Sequence, residues 1–464
     1  MHRLITVALA VALGLGAGSQ AAVPFYDTYQ LQCRANFGAA FNLPAGSFFT
    51  SSTPAINNAG QVAVNLVNVN VPGNPPGVWF GQGGTGQVKF VAADSNATIG
   101  SISLNHLGRA VFPQNFTSPN GVYFYDAPSD TSGLLTTQPI GASSFGTPIV
   151  NDLGQVGYRV SFLGSNAWVS FAGAPPVAFH AVEAALDAAS PYSFLFTPSF
   201  NNSRQIAGKV RLGAAGQTGE NRPDQIRIIN PDGTFTIIAH DRDSDPNSLF
   251  LSFDNSVALT DNGWVAFNAN LFPAGRGVFF SNGVETRTIA VNTAGIVSTI
   301  ESFGPAASAS GLVAFRAFEN NTALRAIWIG DGTTLRRVVR EHDIVPTDLG
   351  PARIDQHDAS PVFGGSITIN RYGDVAFNAA LTPPDNNQIE WGSGIFVALA
   401  RTPGDVDCDG DVDFDDIDAF VAALSGPAAY AAQYPDCRWL NADCDGDGDV
   451  DFDDIDPFVA LIGS

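Results

Sequence analysis

The first four hundred residues are written in short apolar runs separated by polar, glycine-bearing breaks, and the breaks come at a regular interval. One phrase recurs: an apolar residue, a polar turn that usually holds Asn, a Gly, then a short apolar run. It reads INNAGQVAV from Ile56, LNHLGRAVF from Leu104, VNDLGQVGY from Val150 and FNNSRQIAG from Phe200. It returns as LTDNGWVAF from Leu259, ASASGLVAF from Ala307 and INRYGDVAF from Ile369. The Gly slot falls at Gly60, Gly108, Gly154, Arg204, Gly263, Gly311 and Gly373, with spacings of 48, 46, 50, 59, 48 and 62 residues.

Asn or Asp ahead of Gly supplies a tight turn that tolerates positive φ. The apolar run behind it, such as Val265-Ala266-Phe267, reads as a strand buried on both faces. A second run follows as GVWF at Gly77, GVYFY at Gly121, GVFF at Gly277, AIWI at Ala326 and GIFV at Gly394. A third follows as VKFVAAD, FTIIAHD, TRTIAVN and RRVVREHD. Three or four strands in a repeat of about fifty residues is the size of a propeller blade. The expected fold class is all-β: a seven-bladed β-propeller over residues 23–398, with an unclosed stack or sandwich of β units as the alternative. The seventh unit stops after GIFVALA, while FYDTYQLQCR, Phe25 to Arg34, alternates like a strand ahead of the first. That segment is expected to complete the last blade and close the ring.

The phrase resembles the bacterial tandem-repeat proteins named for the pattern NxxGxxAF, over most of residues 50–398. NRYGDVAF at Asn370 is a complete copy; Arg204 replaces Gly in the fourth, and Thr260 and Ser308 replace Asn in the fifth and sixth. The resemblance implies an exported surface protein with a C-terminal sorting or attachment module, and brings no activity with it.

Composition fits a turn-rich β protein with a large core: 45% hydrophobic and 14% charged residues, 48 Gly, 29 Pro and 34 Phe in 464 residues. The net charge of −22 is local. Residues 403–464 hold 17 Asp and one basic residue, Arg438, so they carry −16 and leave −6 for everything else. That balance excludes nucleic acid as a partner, since phosphate binding needs a basic surface.

Carboxylates crowded this closely repel unless something neutralises them. The twelve-residue calcium loop places oxygen ligands at positions 1, 3, 5, 7, 9 and 12 with Gly at 6. Laid on Asp405, it finds Asp407, Asp409, Gly410, Asp413 and Asp416 at 3, 5, 6, 9 and 12. A second copy starts at Asp443, with Asp445, Asp447, Gly448, Asp451 and Asp454 in the same places. Position 7, Asp411 and Asp449, ligates through its backbone carbonyl. Two calcium ions are the expected cofactors, magnesium preferring stricter octahedral geometry. Val412 and Val450, at position 8, are expected to pair across a short β contact. After each loop Ile417, Phe420, Val421 and Leu424, then Ile455, Phe458, Val459 and Ile462, recur at helical spacing.

Paired calcium loops, each followed by a helix and none preceded by one, resemble a dockerin type I domain over Gly404 to Ile462. The resemblance implies that the loop aspartates are the ligands and that a cohesin-like or other cell-surface protein is the partner. Positions 10 and 11, which help choose the cohesin in dockerins, are Phe414-Asp415 and Phe452-Asp453, where cellulosomal dockerins usually carry smaller polar residues.

The start, MHRLITVALAVALGLGAGSQAA, reads as a secretory signal over residues 1–22: a basic start, an apolar run and a small-residue cleavage site. No later stretch is long enough to span a bilayer. Residues 399–403 read as a linker and 404–464 as the calcium module. Cys33, Cys408, Cys437 and Cys444 allow three connectivities in an exported protein, and Cys437 can bridge to either Cys408 or Cys444.

Six His fall in no metalloprotease or triad pattern. AHDRDSD at Ala239 is the most suggestive cluster of the body, but REHD at Arg340 holds the same place in another repeat, which reads as a blade-end loop. Trp79, Trp168, Trp264, Trp328 and Trp391 lie in or beside strands and read mainly as core. The expected function is that of a secreted binding protein attached through a calcium-dependent module. The alternative is an extracellular carbohydrate-active enzyme that degrades polysaccharide and carries a dockerin. A polysaccharide on the propeller is the second expected ligand.

Overall fold

In the body each recurring phrase becomes the turn between two antiparallel strands, and seven four-layered sheets follow one another along the chain. The structure is a computed structural model that describes residues 22–36, 39–49, 52–219, 221–356, 361–435 and 437–462. The expected export signal lies, but for Ala22, outside the described residues. The chain divides into two compact units, Val23–Thr402 and Pro403–Ser464. No helix among the described residues is long and apolar enough to cross a membrane.

Val23–Thr402 is a seven-bladed β-propeller. Each blade is four strands deep, because the apolar residue that leads each phrase belongs to a strand of its own; that leading strand is broken into two pieces in the second, fourth and sixth blades. The fifth blade runs Phe250–Leu259, Val265–Leu271, Arg276–Ser281 and Thr286–Val291 in that order across the sheet. In the first blade the leading strand is only Ala55–Ile56. The ends of these leading strands from all seven blades line one cavity, so they are innermost. The second strands are the most buried: Val265, Ala266, Phe267 and Ala269 are at most 1% exposed. Trp79, Trp168 and Trp328 are core, and Trp264 and Trp391 are part-buried.

The Gly slot explains itself in φ. Six of the seven positions are Gly at +73° to +95°, and Arg204 takes the same left-handed conformation at +60°. The preceding Asn has two tasks. Its Oδ1 accepts two backbone N–H groups of its own turn, as Asn57 does from Ala59 and Gln61 at 3.1 and 3.0 Å. Its Nδ2 donates to the next blade: Asn57 to Asn105 O, Asn105 to Asn151 O, Asn151 to Asn201 O, and Asn201 to Thr260 O. Where Thr260 and Ser308 replace Asn, Asn262 Nδ2 reaches Ala309 O and Ser310 Oγ reaches Arg371 O. Asn370 Nδ2 then donates to Asn57 O at 3.2 Å, and the belt is closed. Five residues past the Gly slot a second set of links reaches the following blade, from Asn65, Lys209, Asn268, Arg316 and Asn378 to Ile99, Phe253, Phe303, Gly365 and Ser52 carbonyls.

Phe25–Ala35 pairs antiparallel with Gly392–Arg401, from Phe25 opposite Arg401 to Ala35 opposite Ser393, and completes the seventh blade as expected. The last strand thus runs through residues 399–401, which the sequence reading assigns to the linker. Arg34, 1% exposed, locks the closure: its guanidinium grips Asp348 with two bonds of 2.8 Å and donates to Ala39 O and Trp391 O. Asp348 tips a hairpin, Ile344–Thr347 with Gly350–Ile354, that widens this blade and accounts for the 62-residue spacing.

In the terminal unit helix α1 is Asp416–Ala423, α2 is Pro427–Gln433 and α3 is Ile455–Ile462. Phe420 of α1 and Phe458 of α3 stack with centroids 4.2 Å apart and planes 4° from parallel. Val406, Tyr430, Ala442 and Val450 complete the core. Cys408 bridges Cys437, which settles the choice between Cys408 and Cys444; Cys33 and Cys444 stand outside the bridge. Helix α2 was not expected. Its signal is Pro427 at the first helical position behind Gly426 at φ +98°. No bridge joins Val412 and Val450 among the described residues; the ring stack carries the contact between halves instead.

Candidate metal centre

Both acidic loops turn through a Gly at position 6, Gly410 at φ +109° and Gly448 at +99°, where a side chain would strain the backbone. Position 12 organises each loop. Asp416 Oδ1 accepts from Val406 N and Asp407 N, and its Oδ2 accepts from Asp413 N. Asp454 repeats this on Cys444 N, Asp445 N and Asp451 N. Asp416 and Asp454 are each 1% exposed.

Three clusters of carboxylates result, each with ligand atoms within 4.8 Å of one another: Asp405, Asp407 and Asp416; Asp443, Asp445 and Asp454; and Asp449, Asp451 and Asp454. The first loop thus brings together positions 1, 3 and 12. The second adds position 9 and the side chain of position 7. Asp409, Asp411, Asp413 and Asp447 lie outside the clusters. Asp409, Asp413 and Asp447 accept loop N–H groups, from Asp411, Asp415 and Asp449 respectively.

The two loops differ at position 1. Asp443 accepts Gly446 N and Gly448 N. Asp405, 6% exposed, keeps Oδ1 without a hydrogen-bond partner. Burial, then the neighbouring Asp416 carboxylate, push Asp405 up to about 7. Burial raises Asp416 as well, against three N–H donors that lower it. Asp411 and Asp449 are raised chiefly by Asp409 and Asp447. A buried carboxylate oxygen without a donor, among carboxylates that raise one another, fits a cation. The donors are all hard oxygens, with no His or thiolate among them, which fits calcium rather than zinc.

The apolar residues at helical spacing divide: Phe420 and Phe458 are buried, and Leu424 and Ile462 are part-buried against them. Ile417, Val421, Ile455 and Val459 are exposed, and Phe414 and Phe452 are 76% and 77% exposed. All of these but Phe452, together with Phe420, Leu424, Phe458 and Ile462, line a groove of 600 Å³. The offset of 38 residues relates the two halves of this face as it relates the two loops.

The suspect clusters of the body have structural employment. Asp241 accepts Asp224 N and Ser244 N, and burial pushes it up to about 6 against those donors. Glu183, Asn292 and Glu341 do the same for Asn166, Arg276 and Arg325 N–H groups, so an acceptor just past the outer strand caps the third strand in four blades. Glu341, His342 and Asp355 approach within 4.8 Å, but Arg353 Nε lies 3.1 Å from Asp355. The axial cavity, 270 Å³, is ringed by Asn58, His106, Asp152, Asn202, Asp261 and Arg371. These groups bond one another across blades, as Asn202 Nδ2 does to Asp152 and Asp261.

No family model and no curated protein matches the chain. Among solved structures it is similar to an oligogalacturonate lyase from Vibrio parahaemolyticus, at 9% identity over 83% of this chain and 99% of the other, TM-score 0.45. It is similar to the β-propeller domain of the Trilobed protease from Pyrococcus furiosus, at 13% identity over 63% and 95%, TM-score 0.35. It also resembles TolB from Acinetobacter baumannii, at 14% identity, TM-score 0.39; 60% of this chain is covered, and 63% of the TolB chain.

Proposed function

We propose that the protein is a secreted or cell-surface binding protein whose terminal unit holds two calcium ions and, so held, docks onto a partner protein. The observation that carries this reading is Asp405 Oδ1, a buried carboxylate oxygen with no donor, in a cluster repeated 38 residues on. Asp405, Asp407 and Asp416 would hold one ion, and Asp443, Asp445, Asp451 and Asp454 the other. Bound calcium supplies the positive charge that lets these groups stay ionised and close together. The chain's own contribution is the set of backbone N–H bonds that Asp416 and Asp454 accept, which fix each loop onto the helix that follows.

The partner-facing surface is the apolar face of α1 and α3. Isolated apolar residues are normal on a surface, but three matched pairs around one groove are a patch that marks a contact site. A cohesin-like protein with an apolar, self-complementary platform is the partner this reading expects. The test is capture of cell-surface proteins by the full chain, with and without chelator, beside a Phe414→Ser, Phe452→Ser double variant. Capture lost with chelator and in the double variant supports the reading. Capture that persists through both overturns it.

A further inference from the structure

The junction of the second and third blades carries a groove that neither the calcium loops nor the belts use. It lies between the connection at residues 116–120 and the connection at residues 137–142, above Phe145, and encloses 620 Å³. That is within the roughly 300–1,000 Å³ of small-molecule sites. Phe116 is 75% exposed and Ile140 77% exposed. Phe116 stands at φ +68°, a conformation that suits Gly or Asn and strains an aromatic residue. Both walls are fixed. Thr117 N donates to Asn120 Oδ1, Asn120 Nδ2 to Ser143 O, Tyr123 Oη to Pro119 O and Ala142 N to Pro139 O. The hydroxyls of Ser118 and Thr137 have no protein partner among the described residues, and no charged side chain lines the groove.

A pyranose ring presents an apolar C–H face and a rim of hydroxyl groups. The groove offers the complement: an exposed ring, an aliphatic neighbour and uncommitted hydroxyls. A phosphate or an acidic sugar would call for Arg or Lys, which are absent from the lining. A folded protein partner would need about 800 Å² a side, beyond what ten lining residues present. We propose that this groove is a binding subsite for a neutral carbohydrate, with Phe116 as the stacking platform and Ser118 and Thr137 as hydrogen-bonding groups. It is independent of the calcium reading, since none of these residues belongs to the terminal unit.

The test is affinity electrophoresis of the full chain through gels holding xyloglucan, galactomannan, mixed-linkage β-glucan or polygalacturonate, each in calcium and in chelator. At least one neutral polysaccharide is expected to retard the chain under both conditions. Phe116→Gly should weaken that retardation about tenfold, a stacking loss of about 1.4 kcal/mol, while the melting temperature of the body holds or rises because Gly accepts the local φ. Phe116→Tyr should retain binding. Retardation by polygalacturonate alone, by no neutral polysaccharide, or equally for Phe116→Gly overturns the proposal. So does a Phe116→Gly body that melts at lower temperature, which would make Phe116 a strut of the loop rather than a platform.

Discussion

The propeller body and the terminal unit face one task, the satisfaction of polar groups at their turns, with different materials. In the body the turn residues are amides in five of the seven blades, with Thr260 and Ser308 in the other two. An Asn can accept from its own turn and donate to the next blade at once, so the belt from Asn57 round to Asn370 closes on itself within the chain. In the terminal unit the turn residues are carboxylates, which only accept. Asp416 and Asp454 use up three N–H donors each, and of the Asp405 oxygens Oδ1 is left buried without one. A ring of amides is complete as protein; a cluster of carboxylates is complete only with a cation. The two regions should therefore respond to opposite insults.

The largest effect belongs to the ring. Deleting residues 24–40 removes the outer strand of the seventh blade and Arg34 with it. No cooperative melting of the body should remain in calorimetry; a folded product would refute the closure. Arg34→Met alone should cost about 3 kcal/mol, because Ala39 O and Trp391 O lose their donor along with Asp348. Next comes the terminal unit. Asp454→Ala strips three N–H groups of their acceptor and should lower its stability by about 3 kcal/mol, with the melting of the body unchanged.

The third test is pH. Asp405 sits at about 7 in the fold, above the roughly 3.9 of an unfolded chain. The folded state without metal therefore holds the proton more tightly, and its stability falls as pH rises from about 4 to about 7, by at most about 4 kcal/mol. Calcium reverses the sign, since the ion competes with the proton and its benefit fades below pH 7. Melts at pH 5 and pH 8, in chelator and in calcium, should move the terminal transition in opposite directions. The smallest effects are single links of the belt: Asn151→Ala should cost about 1 kcal/mol, and Arg204→Gly should gain up to about 1 by relieving the left-handed conformation.

The period of the body is legible because a turn at positive φ restricts its residue types, and Asn and Gly recur at fixed offsets. The closing strand is legible because one unit lacked what the N-terminus had spare. The leading strands are not: Ala55–Ile56 is too short for any alternation to register. Nor is the belt, whose links join residues 46 to 61 apart, and 313 apart where the ring closes, that no local pattern connects. In the terminal unit the loop template found every carboxylate that the structure clusters, because charge at alternate positions has few other uses. It could not separate Asp409, Asp411, Asp413 and Asp447 from the rest, since that depends on which way each oxygen turns. Helical spacing alone could not tell that Ile417 and Val421 face outward, because α1 is apolar on two faces. Ala419, Phe420 and Ala423 fill the inner one.

Calorimetric titration of calcium into the full chain decides whether the carboxylate clusters hold cations. Measurable heat, two ions per chain, and a rise in the melting temperature of the terminal unit alone are expected. No heat, with both melting transitions unmoved by saturating calcium, would show that they hold none.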